Sequence, residues 1–95
     1  MIYKLKFLPS ALKEWEKLDK TLQTQFKKKL SERLQDPHVH AAQLSGYSNH
    51  YKIKLRNSWY RLVYEVIDDE LVVMVIVIGK RERSTVYKTL KKRST

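Results

Sequence analysis

The sequence predicts an α+β domain in which a small, mainly antiparallel four-stranded sheet carries two N-terminal helices, in the order β-α-α-β-β-β, with a short helix at the C-terminus. Three observations carry this. An alternating segment opens the chain, apolar residues then recur at helical spacing as far as Asp36-Pro37, and the second half holds three strand-like runs separated by short polar turns.

The first strand is "YKLKFL", where Tyr3, Leu5 and Phe7 alternate with Lys4 and Lys6, the period of a half-buried strand, and Pro9 ends it. Ser10 stands where a helix cap is wanted, with Glu14 four residues on, and Leu12, Trp15 and Leu18 follow at helical spacing. After a join near Asp19 to Thr21, Leu22, Phe26, Leu30 and Leu34 repeat every four residues until Asp36-Pro37 stops the second helix. "HVHAAQLSGYSNH" keeps no period and reads as a loop. The strands Tyr51 to Arg56, Trp59 to Ile67 and Leu71 to Ile78 come next, and the last is so uniformly apolar that it should lie centrally with both faces covered. Asn57-Ser58 and Asp68-Asp69 turn between them, and "STVYKTLKKRST" can be helical from Ser84. Neither a repeat nor a linker interrupts the chain, and 95 residues suffice for one core, so residues 1–95 are read as a single domain.

Composition narrows the function. No cysteine is present, so disulfides and thiolate metal sites are excluded, which suits a reducing cytoplasm. The longest apolar run is far shorter than the roughly 20 residues of a membrane-spanning helix, and the N-terminus lacks a signal-peptide pattern, so a cytoplasmic protein without membrane contact is expected. Twenty Lys and Arg against ten Asp and Glu give a net charge of +10. Such a field favours polyanions, nucleic acid first.

Within "YKIKLRNSWYRLVYEV", a turn at Asn57-Ser58 sets Leu55 opposite Tyr60, Lys54 opposite Arg61, Ile53 opposite Leu62 and Lys52 opposite Val63. Tyr51, Ile53, Leu55, Tyr60, Leu62 and Tyr64 then share the core face, and Lys52, Lys54, Arg56, Trp59 and Arg61 gather on the other. Like charges directly opposed cost a few tenths to about 1 kcal/mol per pair, so this face is read as an anion site rather than merely a solvated one. A second basic group, Lys80, Arg81 and Arg83, follows the last strand, and Tyr87 stands a few residues beyond. If the tail folds back beside the hairpin, Tyr87 and Arg81 join Lys52, Lys54 and Arg61 around one surface, a phosphate pocket with an aromatic platform of the kind that holds single-stranded RNA. Lys27 and Lys28, with Lys29, are most simply a solvated helix face, one able to meet nucleic-acid phosphates. Trp59 has edge packing and contact with RNA or a partner both open to it. Trp15 and Phe26 are read as core. His50 lies on the Lys52 parity and offers a histidine-based alternative; His38 and His40 lie in the loop.

The segments "ALKEWEKL", "KKKL", "YKIKLR", "YRLVYEVID" and "GKRERSTVY", in this order and spacing, resemble the RelE family of bacterial toxins over essentially the whole chain. The resemblance implies a ribosome-dependent endoribonuclease that enters the decoding A site and cuts the mRNA codon, halting translation. It further implies a first strand lying beside the last, a RelB-like antitoxin that wraps the toxin, and autorepression at operator DNA only through the toxin–antitoxin complex. Its catalytic positions carry over to Lys52, Lys54, Arg61, Arg81 and Tyr87, each matching in residue type. A gyrase poison like the related ParE toxins would keep the architecture without needing that set, and a plain RNA-binding module would bind without cutting.

The residue inventory suits metal-independent cleavage, in which the 2′-hydroxyl loses a proton, the phosphorane charge is stabilised and the 5′-oxygen gains a proton. No carboxylate cluster with metal spacing is visible, so neither metal nor cofactor is expected. Arg61 and Arg81 fit as phosphate and transition-state clamps. Tyr87 has stacking on a base, orienting the 2′-hydroxyl or acting as base open to it. Lys52 and Lys54 serve as acid or base only if neighbouring cations lower their pKa. The basic tail, poor in apolar residues, is expected to dock weakly and to be easily shifted by a partner helix that buries Val86 and Leu90.

Overall fold

The computed structural model describes residues 2–55, 58–80 and 85–93, with the side chains of residues 85–87 left aside. Its elements are β1 (Lys4–Phe7), α1 (Pro9–Glu16), α2 (Lys20–Gln35), β2 (His50–Lys54), β3 (Tyr60–Ile67), β4 (Val72–Lys80) and α3 (Thr85–Arg93). They form the expected α+β arrangement, one four-stranded sheet in the order β1-β4-β3-β2. β1 runs parallel to β4 and the other pairs are antiparallel. The hairpin register is the expected one, with Lys54 opposite Arg61, Ile53 opposite Leu62 and Lys52 opposite Val63.

Helix starts depart slightly from the expectation. Ser10 does not cap α1; the helix begins at Pro9, whose missing N–H is no loss in a first turn and whose fixed φ suits it. Asp19 caps α2, its carboxylate accepting from the Leu22 N–H at 2.8 Å. In β4, Val63 pairs with Val77 and Tyr64 with Val75, so Ile76 is an extra, bulged residue. The bulge reverses the strand's alternation: Val73 and Val75 face the helices before it and Ile78 does so after it, while Ile76 and Val77 face away.

Both faces of β4 are covered. On one, Ala11 of α1 and Phe26 and Leu30 of α2 pack on Ile53, Leu62, Tyr64, Val73 and Val75. On the other, Leu90 of α3 closes over Val63, Ile76 and Val77 and is itself fully buried. The tail is therefore docked more firmly than its composition suggests, and a second contact holds it. Arg93 forms a two-pronged ion pair with Glu14 at 3.0 and 3.1 Å; its Nη1 donates to the Ile76 carbonyl at 2.7 Å, and the Glu14 carboxylate accepts from the Ile78 N–H at 3.0 Å. β1 pairs with β4 only from Val72 to Val75, and beyond that point this side-chain clasp takes the place of a strand.

At the opposite end of β3, the Tyr3 hydroxyl donates to Asp68 at 2.7 Å, and His38 bridges Asp68 at 2.8 Å and the Tyr51 hydroxyl at 3.0 Å. These bonds and that from the Tyr64 hydroxyl to the Pro37 carbonyl, at 2.8 Å, pin the start of the long loop to the sheet. Among the described residues, no helix is long and apolar enough to cross a membrane.

Candidate active site on the outer face of the hairpin

Strand alternation places Lys52, Lys54 and Arg61 on the sheet face turned away from α1 and α2, the face that also carries Val63. Lys54 is exposed and Lys52 half-exposed, whereas Arg61 is only 7 % exposed. Its register partner on β4 is Gly79, which offers no side chain to pair with it. The Arg61 Nε is buried and has no hydrogen-bond partner among the described residues.

The other partly buried arginines among the described residues are treated differently. Arg33 donates to the Tyr64 hydroxyl at 2.9 Å and to the Lys52 carbonyl at 3.2 Å, and Arg93 has Glu14. An unpaired buried donor on a charged group costs at least about 1–3 kcal/mol, so a site that keeps one unpartnered among the described residues is suited to receive an acceptor. None of Lys52, Lys54 and Arg61 makes an ion pair among the described residues. The acids nearest in sequence to the hairpin strands are engaged elsewhere or distant: Glu65 lies opposite His50, and Asp68 is held by Tyr3 and His38. What the arrangement can do chemically is hold an anion by its charge and forked donors, with the guanidinium already desolvated.

The remaining sequence-derived candidates distribute as follows. Arg56, Arg81 and Arg83 lie outside the described residues, and Tyr87 is placed only by its backbone, in the first turn of α3. Lys80 pairs with Tyr60 and sits 5.9 Å above its ring, which puts it on the helix side of the sheet and not with Arg61. Trp59 precedes the first paired residue of β3, so alternation does not fix its face; it is 70 % exposed and borders the start of α2. Lys27 and Lys28 are exposed on α2, in the layer behind the sheet. His50 is buried, its Nδ1 2.7 Å from the Ser48 carbonyl, and stands four residues along β2 from Lys54, about 14 Å away. His38 is bonded to Tyr51 and Asp68, and His40 sits in the loop. No histidine joins the cation group.

Two features escaped the sequence reading. Gly79 opposite Arg61 becomes visible only once the β3–β4 register is known, and the Glu14–Arg93 clasp joins residues at opposite ends of the chain. No group of three or more metal-binding side chains is assembled among the described residues.

Comparison with known proteins adds the family. Residues 5–85 match the model of the ParE toxin of type II toxin-antitoxin systems. The chain is 56 % identical over 93 residues to the mRNA interferase toxin RelE of Escherichia coli K12, covering 98 % of each. Its structure superposes on that of a double-arginine variant of E. coli RelE in the free state with a TM-score of 0.92 at 53 % identity, covering 100 % of both chains. The toxin chain of the intact E. coli RelBE toxin–antitoxin complex gives 0.83 at 56 % identity, over 85 % of this chain and 99 % of that one. A fold matching throughout, at more than half identical residues, assigns this chain to the RelE branch of the ParE/RelE family of toxins from type II toxin–antitoxin systems.

Proposed function

We propose that the chain, acting as one toxin domain over residues 1–95, is an mRNA interferase that cuts mRNA in the decoding A site of the bacterial ribosome and so halts translation in the cytoplasm. The observation that carries this reading is Arg61, a buried guanidinium with an unpartnered Nε beside two lysines that make no ion pair among the described residues. A scissile phosphate supplies the missing charge. The 2′-hydroxyl of the nucleotide attacks the adjacent phosphorus as its proton leaves, the phosphorane charge is held by Arg61 and Arg81, and the bond to the 5′-oxygen breaks as that oxygen takes a proton. Lys52, Lys54 and Tyr87 share the proton transfers, and the chain's own residues supply this chemistry without a cofactor. Lys27, Lys28 and Lys80 lie on the helix side of the sheet, and together with Arg56, Arg83 and Trp59 they serve as contacts to RNA of the ribosome. The ribosome holds the mRNA in line, and positioning of that kind is worth several kcal/mol, about 7–11 at most.

The partner that silences the chain is an acidic or amphipathic antitoxin of the RelB type, and operator DNA is met only through that complex. The test is single-turnover cleavage on programmed ribosomes. Cutting within the A-site codon, ending in a 2′,3′-cyclic phosphate and abolished by a 2′-deoxy substitution at the scissile nucleotide, is expected. Uncut mRNA, with inhibition of DNA gyrase instead, would overturn the reading.

A further inference from the structure

The hairpin end carries an aromatic group beside the start of α2. Trp59 is 70 % exposed, an unusual state for an indole in a chain whose other tryptophan packs between Phe7 and Phe26. It borders a cavity of about 420 Å³ between the start of α2 and the hairpin, shared with Asp19, Leu22, Gln25, Tyr60 and Lys80. Lys80 lies over the Tyr60 ring at 5.9 Å, leaving its charge at the rim. Asp19 spends one carboxylate oxygen on the Leu22 N–H, and Gln25 is exposed on the next turn of α2. An open aromatic face, a cation at the rim and, at the back, a carboxylate and an amide able to bond the edge of a base make up a stacking platform of the type that receives unpaired bases.

We infer that the cavity bordered by Trp59, Tyr60 and Lys80 is a base-stacking subsite, which takes a nucleobase of the single-stranded RNA whose phosphate lies at Arg61. This rests on the proposed function. Two details of the sheet favour that occupant. Trp59 and Arg61 are two residues apart, about 7 Å along the chain, so both are within reach of neighbouring nucleotides of one strand. The register repeats the pairing across β4, with Gly79 opposite Arg61 and Lys80 opposite Tyr60, so the two subsites back onto each other across the end of the sheet. A strand bending over the hairpin end meets a phosphate site on one side and a base site on the other. The net charge of +10 and a Lys80 that makes no ion pair among the described residues favour RNA, while the Asp19 carboxylate in the same cavity suits the edge of a base and not a phosphate.

The test uses the full chain and a short uncleavable 2′-O-methyl oligoribonucleotide of mixed sequence, with linear polyphosphate as the probe that has charge and no bases. The oligoribonucleotide should quench the Trp59 emission, read as the difference between the chain and its Trp59→Phe variant, and polyphosphate should not. Trp59→Ala should weaken oligoribonucleotide binding about tenfold, Trp59→Phe much less, and both should bind polyphosphate as the unsubstituted chain does. On programmed ribosomes, Trp59→Ala should raise the half-saturating ribosome concentration. Unquenched emission, equal binding by all three proteins, or a Trp59→Ala defect confined to a RelB-type antitoxin peptide would each overturn the subsite while leaving cleavage by the unsubstituted chain intact. Failure of the unsubstituted chain to cut mRNA would instead overturn the proposed function.

Discussion

Arg61 concentrates a conflict between stability and chemistry in one side chain. Its guanidinium is buried with Nε unpartnered among the described residues, so Arg61→Ala should reduce single-turnover cleavage on programmed ribosomes about 10²- to 10³-fold while circular dichroism stays unchanged. Arg61→Met, similar in reach and uncharged, should be equally inactive yet melt at a higher temperature, because a buried unpaired charge is removed. Cleavage surviving in both variants would sink the assignment. Asp68 behaves oppositely. The Tyr3 hydroxyl and then His38 hold its carboxyl below the ordinary value of 3.8. A carboxylate lowered on folding contributes stability above its unfolded value and loses it as pH falls through the folded one. Stability should therefore fall with acid below about pH 3.8, and Asp68→Asn should flatten that fall in urea titrations run at stepped pH. The face of Arg61 was legible from strand period alone. Its burial was not, because the pairing that sets Gly79 of β4 opposite it exists only in three dimensions.

Among the elements, α3 departs furthest from its sequence. "TVYKTLKKR" is cationic and sparsely apolar, so composition argues for loose docking, yet Leu90 is fully buried and Arg93 is pinned to Glu14 and Ile76. Leu90→Ala should cost about 2–5 kcal/mol in chemical denaturation, the range for emptying a fully enclosed leucine site. A cost below 1 kcal/mol would mean that the helix is not held by its apolar contact. β2 and α2 were legible because one face of each is polar, which leaves a clean period of two or nearly four; β3 alternates less regularly, since Val63 and Ile67 share the face of Arg61 and Glu65. β4 was legible as central but not in detail, since an all-apolar run erases the alternation that would have marked the Ile76 bulge. Pro9 fits both the end of β1 and the start of α1, which explains a helix start one residue earlier than Ser10.

For the whole molecule, charge was the most legible property and its distribution the least. The acids Asp68, Asp69 and Glu70 turn the chain at one end of β3, and Lys54, Arg61 and Lys80 stand at the other, with Arg61 and Asp68 about 23 Å apart along the strand. Ribosomal cleavage at subsaturating ribosome should accordingly weaken as a power of salt concentration, with a slope reporting several phosphate contacts. A flat salt profile would count against phosphate recognition. The family resemblance was likewise readable in the order of short segments, whereas the division of cations between the two faces of the sheet needed the fold. The Glu14–Arg93 clasp reaches further than α3. β4 contains "VVMVIVI", a run without charge and rich in β-branched residues, the composition of a segment that templates fibres. β1 shields it only as far as Val75, and past that point two side chains occupy the Ile76 carbonyl and the Ile78 N–H that another chain's strand would otherwise seize. Losing the clasp would turn a guarded rim into a recruiting edge, so Glu14→Ala should convert a monodisperse sample into growing, thioflavin-positive assemblies at concentrations where the unsubstituted chain stays dispersed.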